Sequence, residues 1–252
     1  MDPKRIAEAA SLLAAARRAQ KRIDGLPEAC RPQSVDEAHA IQDAVTAALG
    51  VDVLAYKANA PTAGSPGLRA PIYASLVRTS PGRVPTAEAP QCGVEGEVAF
   101  RFRHDLPPRA TAYTREEVAA AVDACAAIEV VSSRFADPTA MTANDRLADA
   151  ISNGGFVYGR VIADWRGLDL GRIKVRLTVN GETVVEQAGG HPIGDPLTVA
   201  VALVEMLRVG VGVKAGQFAT CGSYTGLRYI KPGDTCGVSF EGLGAAEMQF
   251  VP

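Results

Sequence analysis

The N-terminal part of the chain has the apolar periodicity of amphipathic helices. From about Pro3 to Arg22, apolar and small residues recur at helical spacing, which predicts a first helix. A second helix is predicted to begin after Ser34, which forms a capping-box pattern with Glu37, and to end at Gly50. We therefore expect a small helical layer over residues 1–52.

Beyond Val51 the pattern changes to short β-type runs broken by Gly and Pro, as is typical of strands joined by turns. The segment Ala58–Ala70 is too irregular to predict a regular element. The predicted strands are Val53–Tyr56, Tyr73–Val77, Val84–Glu88, Gly93–Phe102, Ile128–Ser132, Phe156–Ile162, Lys174–Val179, Glu182–Gln187, Phe218–Cys221, Thr235–Phe240 and Ala246–Phe250.

Few helices are predicted in this second part of the chain. A capping box at Thr114 predicts a helix to about Ala126, and Asp195 followed by Pro196 predicts another to about Arg208. The chain has neither an internal repeat nor a regular βαβ alternation. The predicted class is therefore α+β, with a β-rich domain over residues 53–252.

Composition and charge narrow the possible functions. The chain is 47% hydrophobic and 21% charged with a formal net charge of −2, so a basic surface for nucleic acid is not expected. No apolar run approaches the roughly 18 residues of a membrane span. The five cysteines are odd in number and form no C-x-x-C pair, which argues against a disulfide framework and a zinc site and favours a cytoplasmic location.

The strand Gly93–Phe100 carries the candidate chemistry. Glu95 and Glu97 lie two positions apart in an apolar run, so a strand would point both carboxylates to one face. Carboxylates beside buried residues need a compensating positive charge, and a divalent metal ion would supply it. Glu129 is another isolated acid in an apolar segment and is the predicted third ligand. The alternative is that the Glu95–Glu97 pair lies on a solvent-facing strand edge.

Six motifs occur along the chain in the order GVEGEVAF, IEVVSSRF, LADAISNGGFVYG, GDPL, AGQFATCGSYTG and KPGD. In this order they resemble the fumarylacetoacetate hydrolase superfamily, and within it the 2-keto-4-pentenoate hydratase / 4-oxalocrotonate decarboxylase branch. The resemblance covers nearly the whole chain and implies that residues 53–252 are a catalytic domain folded as a mixed β-sheet roll. It also implies a homo-oligomer.

The resemblance also implies site residues. Mg²⁺ (or Mn²⁺) would be held by Glu95, Glu97 and Glu129, and the ligand would be a small 2-oxo or 2-hydroxy-enoic acid. The implied catalytic residues are Lys57, Asp149 and Ser152. The implied substrate-binding residues are Tyr73, Gly222 and Ser223.

The implied activity is hydration of 2-hydroxypenta-2,4-dienoate (2-keto-4-pentenoate) and similar acids to 4-hydroxy-2-oxo acids, in the catabolism of aromatic ring-cleavage products. Three alternatives stay open: a 4-oxalocrotonate-type decarboxylase, a C–C bond hydrolase of acylpyruvates, and a non-catalytic member that binds a 2-oxo acid. The sequence departs from the branch at Ile72, where an acid is usual before the tyrosine. This change removes a proton-handling carboxylate that a hydratase would use.

Overall fold

The computed structural model describes residues 1–252 as two β-sheets with helices packed around them. The helices are α1 (Pro3–Ala19), α2 (Val35–Leu49), α3 (Arg115–Ala121), α4 (Ala143–Ala148) and α5 (Pro196–Arg208). The strands are β1 (Val53–Asn59), β2 (Leu68–Tyr73), β3 (Val77–Thr79), β4 (Gly82–Pro85), β5 (Gly93–Phe102), β6 (Val122–Val131), β7 (Asn153–Tyr158), β8 (Lys174–Val179), β9 (Glu182–Ala188), β10 (Phe218–Ser223), β11 (Arg228–Tyr229), β12 (Thr235–Phe240) and β13 (Gly244–Val251).

The larger sheet is curled and has the strand order β2-β1-β10-β5-β6-β7-β3, with β11 paired to one end of β5. The smaller sheet has the order β4-β13-β12-β8-β9. Both sheets are mixed, because the pairs β1–β10, β3–β7 and β4–β13 are parallel whereas the others are antiparallel. Near opposite ends of the larger sheet, β2 and β7 approach each other. The predicted α+β class with a rolled mixed sheet is confirmed.

The two faces of β5 are buried in different clusters. Val94, Val98 and Phe100 belong to the main hydrophobic core, which also contains residues of the smaller sheet and of α5. Ala99 points the other way, into a small apolar cluster inside the curled sheet that also contains Ile72, Phe156 and Phe218. This alternation is the reason that the acidic positions of β5 face the interior of the curled sheet.

The two N-terminal helices pack on each other and on the β-rich part of the chain. Leu13 of α1 and Ile41 of α2 share one buried cluster with Tyr73, Phe135 and Leu147. The helical layer thus completes its core with residues from beyond position 52. The division of the chain at that position stays a prediction.

Helix α3 is shorter than predicted. It begins after Thr114, and both hydrogen bonds of the capping box between Thr114 and Glu117 are present. The helix ends at Ala121 rather than near Ala126, because Val122–Val131 pairs with β5 along its whole length. Pairing within the sheet outweighs the helical propensity of this alanine-rich segment.

The prediction around β2 is also partly wrong. A strand was expected at Tyr73–Val77, but β2 ends at Tyr73 and Ala74–Leu76 form a 3-10 turn. Leu68 pairs with Asn59 of β1, so β2 begins inside the segment that was predicted to be irregular. The irregular part is therefore confined to the hairpin turn at 60–67. The predicted strands Gly93–Phe102, Lys174–Val179 and Thr235–Phe240 are confirmed with the same ends, and the other predicted strands are present with shifted ends.

Three further features concern the thiols, the lengths of the helices and the cap of α2. All five cysteines are free and buried. No helix is both long enough and apolar enough to cross a membrane. Ser34 caps α2 by accepting a hydrogen bond from the Glu37 amide, but the Glu37 carboxylate accepts from the amide of Gln33 rather than from that of Ser34.

His39 of α2 should make the helical layer sensitive to acid. Its Nε2 accepts a hydrogen bond from the Arg69 amide at 3.3 Å, and burial, together with the charge of Arg69, lowers its pKa to about 4. His39 therefore binds a proton more readily in the unfolded chain than in the folded protein. The folded state consequently loses free energy of unfolding as the pH falls below about 6.5. We expect His39→Gln to reduce the loss of stability between pH 7 and pH 5 by about 1 kcal/mol, measured by urea unfolding. His104→Gln, at an exposed histidine, is the control and should leave the difference unchanged.

Candidate active site

Three carboxylates converge inside the curled sheet. Glu95 of β5 lies directly opposite Glu129 of β6 in the antiparallel register, and Glu97 follows two positions later on the same face. One oxygen from each carboxylate lies within 4.8 Å of the other two. Glu97 and Glu129 are 1% and 0% exposed, whereas Glu95 is partly exposed. The solvent-facing alternative for this pair of acids is therefore wrong.

Lys57 of β1 supplies the nearest positive charge. Its Nζ lies 3.0 Å from Oε1 of Glu129 and 3.8 Å from Oε2 of Glu95. Burial lowers the pKa of Lys57, but attraction to the three carboxylates outweighs burial and raises the pKa above its usual value. Lys57 is thus held as a cation at the carboxylate cluster.

Glu97 is fixed by two donors from β10. The Thr220 hydroxyl and the Gly222 amide both donate to its Oε2, the latter at 2.9 Å. Burial, reinforced by the charges of Glu129 and Glu95, raises the pKa of Glu97 to about 8. The negative charge of this carboxylate is therefore strongly disfavoured even with Lys57 nearby, unless a further cation binds.

The charge and the donor set of the cluster fit a divalent metal ion. Three carboxylates and one ammonium group leave a formal charge of −2 in a largely buried site. Asn153 donates to Oε1 of Glu129 at 3.2 Å, but Oε2 of Glu129 is buried without a hydrogen-bond partner. Oxygen ligands of this kind are the ones that Mg²⁺ and Mn²⁺ prefer.

Thr220 should tune the metal affinity through Glu97. Thr220→Val removes the hydroxyl that orients the carboxylate but keeps the shape of the side chain. We expect the variant to bind Mn²⁺ about 10- to 100-fold more weakly, as measured by calorimetric titration. Thr220→Ser keeps the hydroxyl and should stay near the parent affinity. Equal affinities for the valine and serine variants would contradict this role.

Asp149 lies in a buried network beside the cluster. Its carboxylate accepts from the Ser133 hydroxyl and from the backbone and side-chain Nε of Arg134. Arg134 in turn donates to the backbone carbonyl of Asn153. The side-chain amide of Asn153 donates to Glu129. Asp149 is therefore connected to the carboxylate cluster through two intermediate residues, and its catalytic role stays a prediction.

Ser152 ends a turn of unusual backbone geometry. Ala150, Ile151 and Ser152 all have φ between +51° and +58°, a conformation that is costly for residues with a Cβ. The Ser152 carbonyl accepts from the Ser132 amide at 2.7 Å, and the Ile151 carbonyl lies 3.5 Å from Lys57 Nζ. This turn thus places a backbone acceptor beside the lysine, and a catalytic role for the Ser152 side chain stays a prediction.

The predicted substrate-binding residues are distributed over two places. Gly222 contacts Glu97, and Ser223 pairs with Glu97 in the sheet register, with its hydroxyl buried and unpartnered. Tyr73 instead packs against the N-terminal helices, with its hydroxyl 3.5 Å from that of Thr46. Gly222 and Ser223 are thus near the carboxylates, whereas Tyr73 contacts the helical layer.

Sequence reasoning missed two residues that hold the carboxylates, Thr220 and Asn153. Thr220 is aligned with Lys57 in the parallel pair of β1 and β10. Once that pairing is known, the alternation of side chains along Phe218–Cys221 indicates this position of Thr220. His191 hydrogen-bonds through Nε2 to the Cys221 carbonyl at 2.6 Å. Burial lowers its pKa, which agrees with a neutral ring that holds the loop next to Gly222.

A family model for the C-terminal domain of fumarylacetoacetate hydrolase matches residues 54–251. The chain belongs to this family. Within the family it is 31% identical over 262 residues to 2-keto-4-pentenoate hydratase of Paraburkholderia xenovorans, an alignment that covers 99% of this chain and 96% of the relative. It is also 31% identical over 137 residues to 4-oxalocrotonate decarboxylase of Pseudomonas putida, covering 54% of this chain and 52% of the relative.

A solved structure shares the complete fold. The structure of 4-oxalocrotonate decarboxylase from Pseudomonas putida G7, complexed with magnesium and adipate, aligns with a TM-score of 0.85 at 21% identity. The alignment covers 99% of this chain and 98% of that chain, so the N-terminal helices are part of the shared fold.

Proposed function

We propose that this protein is a metal-dependent lyase that hydrates 2-hydroxypenta-2,4-dienoate and similar acids to 4-hydroxy-2-oxo acids, in the catabolism of aromatic ring-cleavage products. The observation that carries the proposal is the convergence of Glu95, Glu97 and Glu129 on one buried point beside Lys57. The full-length similarity to 2-keto-4-pentenoate hydratases supports the choice of reaction.

The three glutamates are the residues that would hold Mg²⁺ or Mn²⁺. When bound, such an ion supplies a Lewis acid that polarises the oxygens of an oxo acid and stabilises negative charge on them. The donors from Thr220, Gly222 and Asn153 keep two of the glutamates oriented. This second layer of contacts predicts a rigid ligand set.

Lys57 would attract the acidic substrate and hold a proton near it. Its ammonium group is the one cation in direct contact with the carboxylates, and a substrate with an ionised carboxylate adds a further negative charge. An ammonium group at this place can bind the substrate anion and can donate a proton from Nζ. The packed apolar cluster around Phe156 and Phe218 lies on the same face of the sheet and excludes bulk water from the interior.

Decarboxylation of 4-oxalocrotonate-like acids is the second candidate. It is favoured by Ile72, which is fully buried in the apolar cluster at the position where the branch usually has an acid. A decarboxylase needs the same stabilisation of an enolate but has less need for a carboxylate that delivers a proton.

The test is an ultraviolet assay of 2-hydroxypenta-2,4-dienoate and of 4-oxalocrotonate, with Mg²⁺ and after its removal with a chelator. We expect loss of dienoate absorbance without release of CO₂, and we expect this activity to depend on the metal ion. Loss of 4-oxalocrotonate with release of CO₂ would establish the second candidate instead. Cleavage of acylpyruvates with no turnover of either acid would place the protein among the hydrolases and contradict the proposal.

A further inference from the structure

A cavity separate from the carboxylate cluster lies between the end of α1 and the curled sheet. Its volume is about 280 Å³, and its lining includes Arg17 from α1, Tyr73 from β2 and Arg134 after β6. None of the three glutamates lines this cavity, and neither does Lys57. The Asp149–Arg134 ion pair and the hydrogen bond from Arg134 to Asn153 lie between the cavity and the carboxylate cluster.

Arg17 is a buried cation whose hydrogen-bonding capacity is unused. Its side chain is only 11% exposed, and its guanidinium group makes no hydrogen bond to the protein. The nearest acidic atom is Oδ1 of Asp149, 3.9 Å away, and this oxygen already accepts from Nε of Arg134. Burial and repulsion from Arg134 lower the pKa of Arg17 to about 10, so the group remains charged at neutral pH.

The charge around the cavity is positive and incompletely compensated. Arg17 and Arg134 are two buried guanidinium groups, and they share the single carboxylate of Asp149. Glu88 also lines the cavity, but its carboxylate is paired with Arg78 at 2.6 Å. One buried positive charge thus lacks a counter-ion, an arrangement that is costly unless an anion binds.

The remaining walls favour an anion with an apolar part. Leu49, Val51, Leu76 and Pro90 contribute aliphatic surface to the cavity, and Lys21 adds positive charge at its exposed side. A guanidinium group matches a carboxylate through two parallel hydrogen bonds. The volume is at the lower end of ligand-binding pockets, which limits the occupant to a small molecule.

The geometry points to a binding site for a small organic carboxylate, with its carboxylate group on Arg17 and its hydrocarbon part against Leu49, Val51 and Leu76. This site is distinct from the place where the substrate acid would bind. It does not depend on the proposed reaction, and failure of either proposal would leave the other standing.

The test uses the Mg²⁺-loaded protein with 4-bromobenzoate as the probe and 4-bromobenzamide as its neutral counterpart. Anomalous scattering from bromine in soaked crystals locates the probe, and calorimetric titration gives its affinity in solution. We expect bromine in the Arg17 cavity and at least about tenfold weaker binding of the amide, because a charge-assisted hydrogen-bonded pair is lost.

Two variants with the same change in charge separate the role of Arg17 from general attraction. Arg17→Gln should weaken binding of 4-bromobenzoate at least about tenfold, whereas Lys21→Gln, at the exposed side of the cavity, should change it less than about twofold. Bromine found only at the carboxylate cluster, equal affinity for acid and amide, or binding seen in the crystal but not in solution would each overturn the proposal. The location of bromine and the comparison of acid with amide are both measured on the parent protein. They therefore stay decisive even if Arg17→Gln does not fold.

Discussion

Replacing Glu97 with Gln should lower the affinity for Mn²⁺ by at least about 100-fold and remove the proposed metal-dependent activity. The change keeps the shape of the side chain but removes one of three negative ligands, a larger loss than the 10- to 100-fold effect typical of residues that only orient a ligand. The fold should survive, because burial and the nearby charges of Glu129 and Glu95 already disfavour a negative charge at Glu97, and glutamine is neutral.

Calorimetric titration measures the affinity for Mn²⁺, and thermal unfolding of the metal-free protein measures whether the fold survives. Glu241→Gln is the matched control, since it makes the same chemical change at an exposed side chain that pairs only with Lys174. Unchanged Mn²⁺ affinity in the Glu97→Gln variant would show that the three carboxylates do not form the metal site.

Ile72→Asp should destabilise the protein by at least about 4 kcal/mol at pH 7. Ile72 is 0% exposed and lies in the apolar cluster with Ala55, Phe156 and Phe218. The substitution removes buried methyl and methylene groups and places an acid where no charged partner is within the cluster. Because the surroundings of this side chain are apolar, we do not expect the substitution alone to increase hydratase activity.

Urea unfolding at two pH values tests this expectation. A buried Asp has a raised pKa, so the folded variant binds a proton more readily than the unfolded chain and loses further stability as the pH rises from 5 to 7. Ile72→Val, which keeps the site apolar, should cost only about 0.5–1.5 kcal/mol and show no such dependence. An aspartate variant as stable as the valine variant would mean that the cluster can admit water or a counter-ion.

The carboxylate cluster could be predicted because strand alternation is a local property. Glu95 and Glu97 share a face whatever the partner strand is, and the apolar residues around Glu129 indicate that it is buried. The register that places Glu95 opposite Glu129 is set by pairing over ten residues, which no local pattern specifies. The supporting donors were missed for the same reason, since Thr220 reaches Glu97 from a strand more than a hundred residues away.

Local propensity failed where long-range pairing or strain decides the conformation. The alanine-rich segment after Ala121 is a good helix former, yet it is the central strand β6. The turn Ala150–Ser152 is left-handed at three consecutive residues that include a β-branched one, although sequence patterns reserve that conformation for Gly and Asn. Such a turn persists only because the surrounding structure holds it, so the sequence gives no signal for it.

The free thiols provide a native set of probes for local opening. Cys30 is buried beneath the helices, Cys125 inside the curled sheet and Cys236 in the main core, so each hydrophobic cluster contains its own reporter. A thiol-specific reagent can modify a given cysteine only while its cluster is open, and the labelling rate therefore measures the free energy of that opening. If Cys30 is labelled much faster than the other two, the helices detach without unfolding the sheets. Equal rates would mean that the whole chain unfolds as one cooperative unit.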